Sequence, residues 1–222
     1  MILQDSKKDF IEFMLASNVL RFGSFMTKSG RETPYFINTG FYNDGQGIEK
    51  LGHFYANCIE EYVPADIQTI YGPSYKGIPL AVATTVAMQN LYGKNLHYSF
   101  NRKEVKDHGE GGLIVGYTPQ DGDNIVIVED VITAGLSITE SMGILKSIAD
   151  IHVQAIIVSV DRMERGELER TAIQEIQHKF GAPVYPIVTI EEVVNYIYNE
   201  KKGGRMIIDE AMKEKIEVRI VR

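Results

Sequence analysis

Apolar residues change their spacing repeatedly along this chain, and the changes mark out an alternation of helices and strands. Near the start, Phe10, Ile11, Phe13, Met14 and Leu15 fall close to helical spacing with Asp9 and Glu12 among them, which predicts an amphipathic helix. A turn-rich segment, Lys28-Ser29-Gly30-Arg31, precedes an extended stretch over residues 35–38. Residues 48–62 read as helix again, with Cys58 on or near the apolar face. Beyond them a strand at 67–71, a loop at 72–77 and an Ala-rich helix at 78–91 follow in turn. A strand at 97–100 leads into a polar, glycine-ended segment at 101–112. Further strands are predicted at 125–128, 155–160 and 184–188, separated by helices at 136–148 and 167–180. The alternation implies βαβ units, hence an α/β fold with a mostly parallel central sheet flanked by helices. Ligands on such sheets sit at the carboxyl ends of strands, which directs attention to the loops after residues 71, 128 and 160.

No repeat, low-complexity tract or Pro/Ser-rich linker divides the 222 residues, so a single domain is expected. Its core runs from about 48 to 190, and a small hood comes mainly from about 20–45 and the C-terminal part. Residues 206–222 announce only a helix and an extended end. Composition adds exclusions. A formal charge of −7 disfavours a general nucleic-acid binder, although a local cluster of cations and backbone N–H groups can still hold phosphate. The one cysteine, Cys58, has no intrachain partner for a disulfide, and the start of the chain lacks a basic-then-apolar segment. No apolar run approaches the ~20 residues that span a bilayer. A cytoplasmic protein without membrane or nucleic-acid partners is the expectation.

The most informative stretch is Glu129-Asp130-Val131-Ile132-Thr133-Ala134-Gly135-Leu136-Ser137, directly after an all-apolar strand. Backbone N–H groups at a helix start, with the Thr133 and Ser137 hydroxyls, make a cradle for a phosphate dianion. The two carboxylates upstream suit ribose hydroxyls and would repel phosphate, so a sugar phosphate is favoured over a nucleoside triphosphate. The Gly-Lys-Ser/Thr ending of a Walker loop is missing, and no Gly-x-Gly-x-x-Gly follows an early strand. Taken alone, the same string is also an ordinary capped strand–turn–helix junction.

The segment from Asn101 to Gly112 gathers Arg102, Lys103, Lys106 and His108 and ends in glycines. A charge run is usually a solvated face, but glycines give hinge freedom and favour a lid. Cations delivered by a closing lid would stabilise negative charge developing on a bound substrate and exclude water. In Tyr71-Gly72-Pro73-Ser74-Tyr75-Lys76-Gly77, a tight turn sets Lys76 at a helix start, where amides add to its charge. Arg162 follows the strand at 155–160 and has the forked donors to read a planar carboxylated base, or else pairs with Asp161 or Glu164.

Together these motifs, in order and over nearly the whole chain to about residue 195, resemble the orotate branch of the type I phosphoribosyltransferase family. The acidic pair and Thr-Ala-Gly turn match its signature for PRPP (5-phosphoribosyl 1-diphosphate), with Glu129 where many members carry Asp and Leu136 where many carry Thr or Gly. The resemblance implies that the family's fold is shared and that orotate and PRPP are converted to orotidine 5′-monophosphate and diphosphate. It implies Lys106 as the main catalytic lysine, with Arg102, Lys103 and His108 on PRPP or diphosphate. Lys28, Tyr75 and Lys76 would also touch PRPP, and residues 129–137 would hold its ribose and phosphate. Phe36, Ile37, Thr133 and Arg162 would contact orotate. Related loops often hold a non-proline cis peptide, for which Ser74–Tyr75 is the candidate bond. Mg²⁺ is implied as a chelate of PRPP with no direct protein ligand, as is a homodimer whose lid closes over the partner's site. The rivals are a purine or uracil transferase of the same fold and a PRPP-sensing regulator without catalysis.

Overall fold

The computed structural model describes residues 3–26, 32–106, 112–132, 135–164, 170–198, 200–202 and 205–220, with backbone alone at 105, 106, 201, 202 and 205. In chain order it contains α1 (Asp5–Ala16), β1 (Leu20–Met26), β2 (Glu32–Ile37), α2 (Gly45–Tyr62), β3 (Thr69–Gly72) and α3 (Gly77–Tyr92). There follow β4 (His97–Lys106), β5 (Gly112–Gly116), β6 (Asn124–Val131), α4 (Leu136–Ile148), β7 (His152–Asp161) and α5 (Ala172–Phe180). The chain closes with β8 (Val184–Thr189), α6 (Ile190–Ile197), the short pair β9 (Lys201–Lys202) and β10 (Arg205–Met206), and α7 (Glu210–Glu217).

Six strands form the central sheet in the order β5-β4-β3-β6-β7-β8. All neighbours are parallel except β4 and β5, which form an antiparallel hairpin at one edge. The all-apolar run of β6 is explained by burial on both faces. Val126 and Val128 join the core under α1, α2, α3 and α6, whereas Ile125 and Ile127 join a second core under α4 and α5. Successive side chains of a strand point to opposite faces, so only a strand covered on both sides reads as uninterrupted apolar sequence. Helix starts obey local chemistry. Thr171 with Gln174, and Thr189 with Glu192, form capping boxes that fix the entries to α5 and α6.

The chain runs from β3 outward to β4 on one side and later returns to β6 on the other. The order therefore reverses between β3 and β6, and the crevice at their carboxyl ends is the topological switch point. Beside it stand the antiparallel β1–β2 hairpin and α7, which together line a cleft of about 600 Å³.

Three segments differ from the sequence reading. The expected lid loop begins as regular strand: β4 continues through Lys106, and Lys106 pairs with Gly112 of β5. Its polar residues hid this extension, because a hairpin standing off a sheet has no buried face to impose alternation. The stretch at 20–26 likewise forms β1, paired to β2. α5 begins at Ala172 rather than 167, and residues 165–169 lie outside the described residues.

Candidate active site

The loop after β3 is shaped by close backbone approach. An added Cβ at Gly72 would fall 1.9 Å from the Gly77 carbonyl oxygen, so only glycine lets the strand end and the helix start meet. The Ser74–Tyr75 peptide is cis. The Ser74 amide donates to Asn101 Oδ1 at 2.9 Å, and its hydroxyl donates to the Asn101 carbonyl. Asn101, 2% exposed, thereby ties this loop to the base of the β4–β5 hairpin.

Glu129 and Asp130 lie near the end of β6 and are both buried. Asp130 Oδ2 accepts from Lys76 Nζ at 2.7 Å and from the Thr39 hydroxyl at 3.0 Å, while its Oδ1 accepts from the Val131 amide at 2.7 Å. Lys76, at the start of α3, is thus joined across the switch point to β6. Main-chain oxygens of the acidic pair are held from the interior, Glu129 O by the Tyr55 hydroxyl at 2.8 Å and Asp130 O by the Ser159 hydroxyl at 2.5 Å. Burial, and then the adjacent Asp130 charge, push the Glu129 carboxyl up to about 7, against the opposing pull of the Asp130 amide and the Ser137 hydroxyl. Gly135, at φ 66°, opens α4 with no side-chain cap, which leaves first-turn amides without that partner. Leu136 is 75% exposed there and contributes backbone rather than packing.

From the hairpin, Lys103 Nζ lies 3.6 Å from Glu140 Oε2 on α4 and 6.0 Å from the centre of the Tyr75 ring. The Arg102 Nε is buried without a hydrogen-bond partner among the described residues. Phe100 pairs with Gly72, the last residue of β3, so the six further residues to Lys106 carry β4 roughly 20 Å past the end of β3 at ~3.3 Å per residue.

After β7, Arg162 is stacked over the Tyr35 ring at 4.8 Å and paired through Nη2 to Glu164 Oε1 at 2.7 Å. Burial works against its charge, but Tyr35 and Glu164 outweigh that and raise its pKa. Phe36 is 36% exposed and stacked on Phe25 at 5.6 Å, whereas Ile37 is buried in the core. Lys28, His108, Thr133 and Ala134, together with the Lys106 side chain, lie outside the described residues. The others, Tyr75, Lys76, Arg102, Lys103, Glu129–Ile132, Gly135–Ser137 and Arg162, surround the carboxyl ends of β3, β6 and β7. Sequence reasoning missed Thr39, Asn101 and Glu140. Thr39 and Glu140 stand in no motif, and Asn101, although it opens the basic segment, was assigned no role there because nothing in its local sequence announces the contact to Ser74.

Comparison with known proteins decides what this arrangement belongs to. The chain is 51% identical over 214 residues to the orotate phosphoribosyltransferase of Clostridium acetobutylicum, covering 96% of each. It is 50% identical over 211 residues to that of Clostridium beijerinckii, covering 95% of this chain and 94% of the relative. The chain belongs to the orotate phosphoribosyltransferase family. It is therefore an enzyme of the pentosyltransferase class with a type I phosphoribosyltransferase fold. The crystal structure of the family's Francisella tularensis member superposes with a TM-score of 0.80 at 33% identity, covering 95% of this chain and 96% of that one. A comparison with family models returned no match. Among the described residues, no helix is long and apolar enough to cross a membrane.

Proposed function

We propose that this enzyme transfers the 5-phosphoribosyl group of PRPP to orotate, releasing diphosphate and forming orotidine 5′-monophosphate for UMP synthesis in the cytoplasm. The observation that carries the reading is the approach of cations from two segments, the loop after β3 and strand β4, to the acidic end of β6 and the helix that follows: Lys76 on Asp130, with Lys103 beside Tyr75 and Glu140. A sugar diphosphate needs this mixture, with carboxylates for ribose hydroxyls and cations for phosphates.

In this reading Tyr75, Lys76 and the backbone of their loop take the diphosphate, and Lys28 reaches PRPP from the hood formed by β1–β2 and the C-terminal part. Glu129 and Asp130 accept from the ribose hydroxyls. Residues 131–137 wrap the 5′-phosphate, with Val131, Ile132, Ala134, Gly135 and Leu136 giving backbone contacts and Thr133 and Ser137 hydroxyls. The bond from C1 of the ribose to diphosphate oxygen breaks as a ring nitrogen of orotate bonds to C1, and that nitrogen's proton passes to the departing diphosphate. Arg102, Lys103, Lys106 and His108 stabilise the negative charge that accumulates on the leaving group. Phe36 and the Ile37 backbone flank the base, and Arg162 and Thr133 hydrogen-bond to it.

The donor set suits Mg²⁺ carried in by the substrate. Among the described residues no three carboxylate, imidazole or thiol groups converge, and Asp130 is already engaged by Lys76 and Thr39. No direct protein ligand is assigned, because the family resemblance implies that PRPP presents the metal as its own chelate. Bound Mg²⁺ would neutralise diphosphate charge, its oxygens coming from diphosphate, ribose and water.

A homodimer with a shared lid is supported by two features. β4 runs six residues past the end of β3, as a lid that closes over a partner's site would need. α3 also carries exposed apolar side chains, Val82 and Val86 at 38% and 54%, and β4 carries Tyr98 at 40%. The experiment that tests the function is diphosphate release from PRPP with orotate, compared with uracil, hypoxanthine and adenine. Release with orotate alone is expected; equal release with another base would overturn the assignment.

A further inference from the structure

Glu164 sits two residues after Arg162, and its carboxylate does more than form a surface ion pair. Its Oε1 accepts from Arg162 Nη2 at 2.7 Å and from the Tyr35 hydroxyl at 3.1 Å. Its backbone forms an antiparallel bridge with Ile220. One residue therefore joins the loop after β7, the β1–β2 hairpin and the C-terminal segment. The link is made possible by Met163, whose left-handed φ of 51° turns the chain so that residues 162 and 164 face each other. The nearby Asp161 carboxylate is occupied differently, accepting the Met163 amide at 2.8 Å, and does not share the guanidinium.

The geometry at Arg162 is incomplete in a specific way. Glu164 engages one terminal nitrogen, and the ring of Tyr35 covers one face at 4.8 Å. The Nε is buried without a partner among the described residues. A guanidinium carries five N–H donors in a rigid fork, and a buried donor demands an acceptor. The acceptor that fits a planar fork is a carboxylate.

We propose that Glu164 is a positioning residue for Arg162, locking the guanidinium against Tyr35 so that its remaining donors are presented to the carboxylate of the base. Selectivity for a carboxylated pyrimidine would then come from orientation. Because Glu164 already neutralises Arg162, charge alone would attract few anions to the site. The inference rests on the reading that Arg162 binds the carboxylate of orotate.

The test uses the full chain and steady-state kinetics with both substrates. Glu164→Gln keeps the shape and loses the charge, and should raise the KM for orotate roughly tenfold, as loss of a charge-assisted bond does, with kcat and the KM for PRPP within about twofold. Arg162→Lys should raise the orotate KM at least as far, and the double variant should be no worse than Arg162→Lys alone. An unchanged orotate KM in Arg162→Lys would overturn the reading of Arg162 itself. A raised KM in Arg162→Lys with none in Glu164→Gln would overturn the positioning role only. Multiplied effects in the double variant, or a joint loss of kcat and PRPP affinity in Glu164→Gln, would also overturn it.

Discussion

Lys76 Nζ lies 2.7 Å from Asp130 Oδ2, so the cation that opens α3 is paired across the switch point with the acid near the end of β6. The acid is buried and the lysine side chain is 55% exposed. The two partners are therefore not equivalent. Removing Lys76 leaves a carboxylate still satisfied by Thr39 and the Val131 amide, whereas removing the charge of Asp130 frees a solvated lysine. Lys76→Ala should fold normally and lower kcat/KM for PRPP by roughly 10- to 100-fold, the scale of a lost charge-assisted contact to phosphate. Isothermal titration with PRPP checks it; unchanged affinity would remove Lys76 from the diphosphate site.

Glu129 makes a prediction in pH. Its carboxyl is raised from 4.5 to about 7, mainly by burial. Between those values the folded protein keeps a proton that the unfolded chain has released. The stabilising contribution is therefore full below about 4.5 and lost as pH rises through about 7. Glu129→Gln should raise the urea midpoint relative to the parent at pH 8 and lose that advantage by pH 5. Activity should run the other way, because the ionised form accepts the ribose hydroxyls. The parent's kcat/KM for PRPP should fall below pH 7. If the same acid limb survives in Glu129→Gln, it belongs to the substrate and not to Glu129.

Lys106 stands at the outer end of β4, and the resemblance gives it the main catalytic role. Lys106→Ala should reduce kcat by about 100-fold or more while leaving the melting temperature and most PRPP affinity in place. Mixed with Asp130→Asn subunits, it should regain activity if the lid acts across a dimer, because one of the two sites then has an intact lid and an intact acidic pair. Verified heterodimers without recovered activity would argue against sharing.

Gly72→Ala tests the backbone contact that shapes the loop after β3. With 1.9 Å between the new Cβ and the Gly77 carbonyl oxygen, backbone must shift, since no flexible side chain is there to move. A loss of about 2–3 kcal/mol is expected, on the scale of overpacking, lowering Tm by roughly 5–10 °C. A melting temperature equal to the parent's would show that the strand and helix can separate freely.

The chain's own sequence determined the sheet, its flanking helices and the identity of the loops that matter. Buried parallel strands must be apolar throughout, and helix starts and tight turns need particular residues, so 125–128, 136–148 and the glycines of the loop after β3 were legible locally. The acidic pair and the basic segment were legible for a similar reason, since each is contiguous. What only tertiary structure decided is partnership between segments distant in sequence. Thr39 on Asp130, Asn101 on Ser74, and Glu164 between Arg162 and Tyr35 all depend on how strands are ordered and where the β1–β2 hairpin settles. The full length of β4 also lay beyond local reading. A hairpin that leaves the sheet is held by main-chain hydrogen bonds, which impose no pattern on side chains.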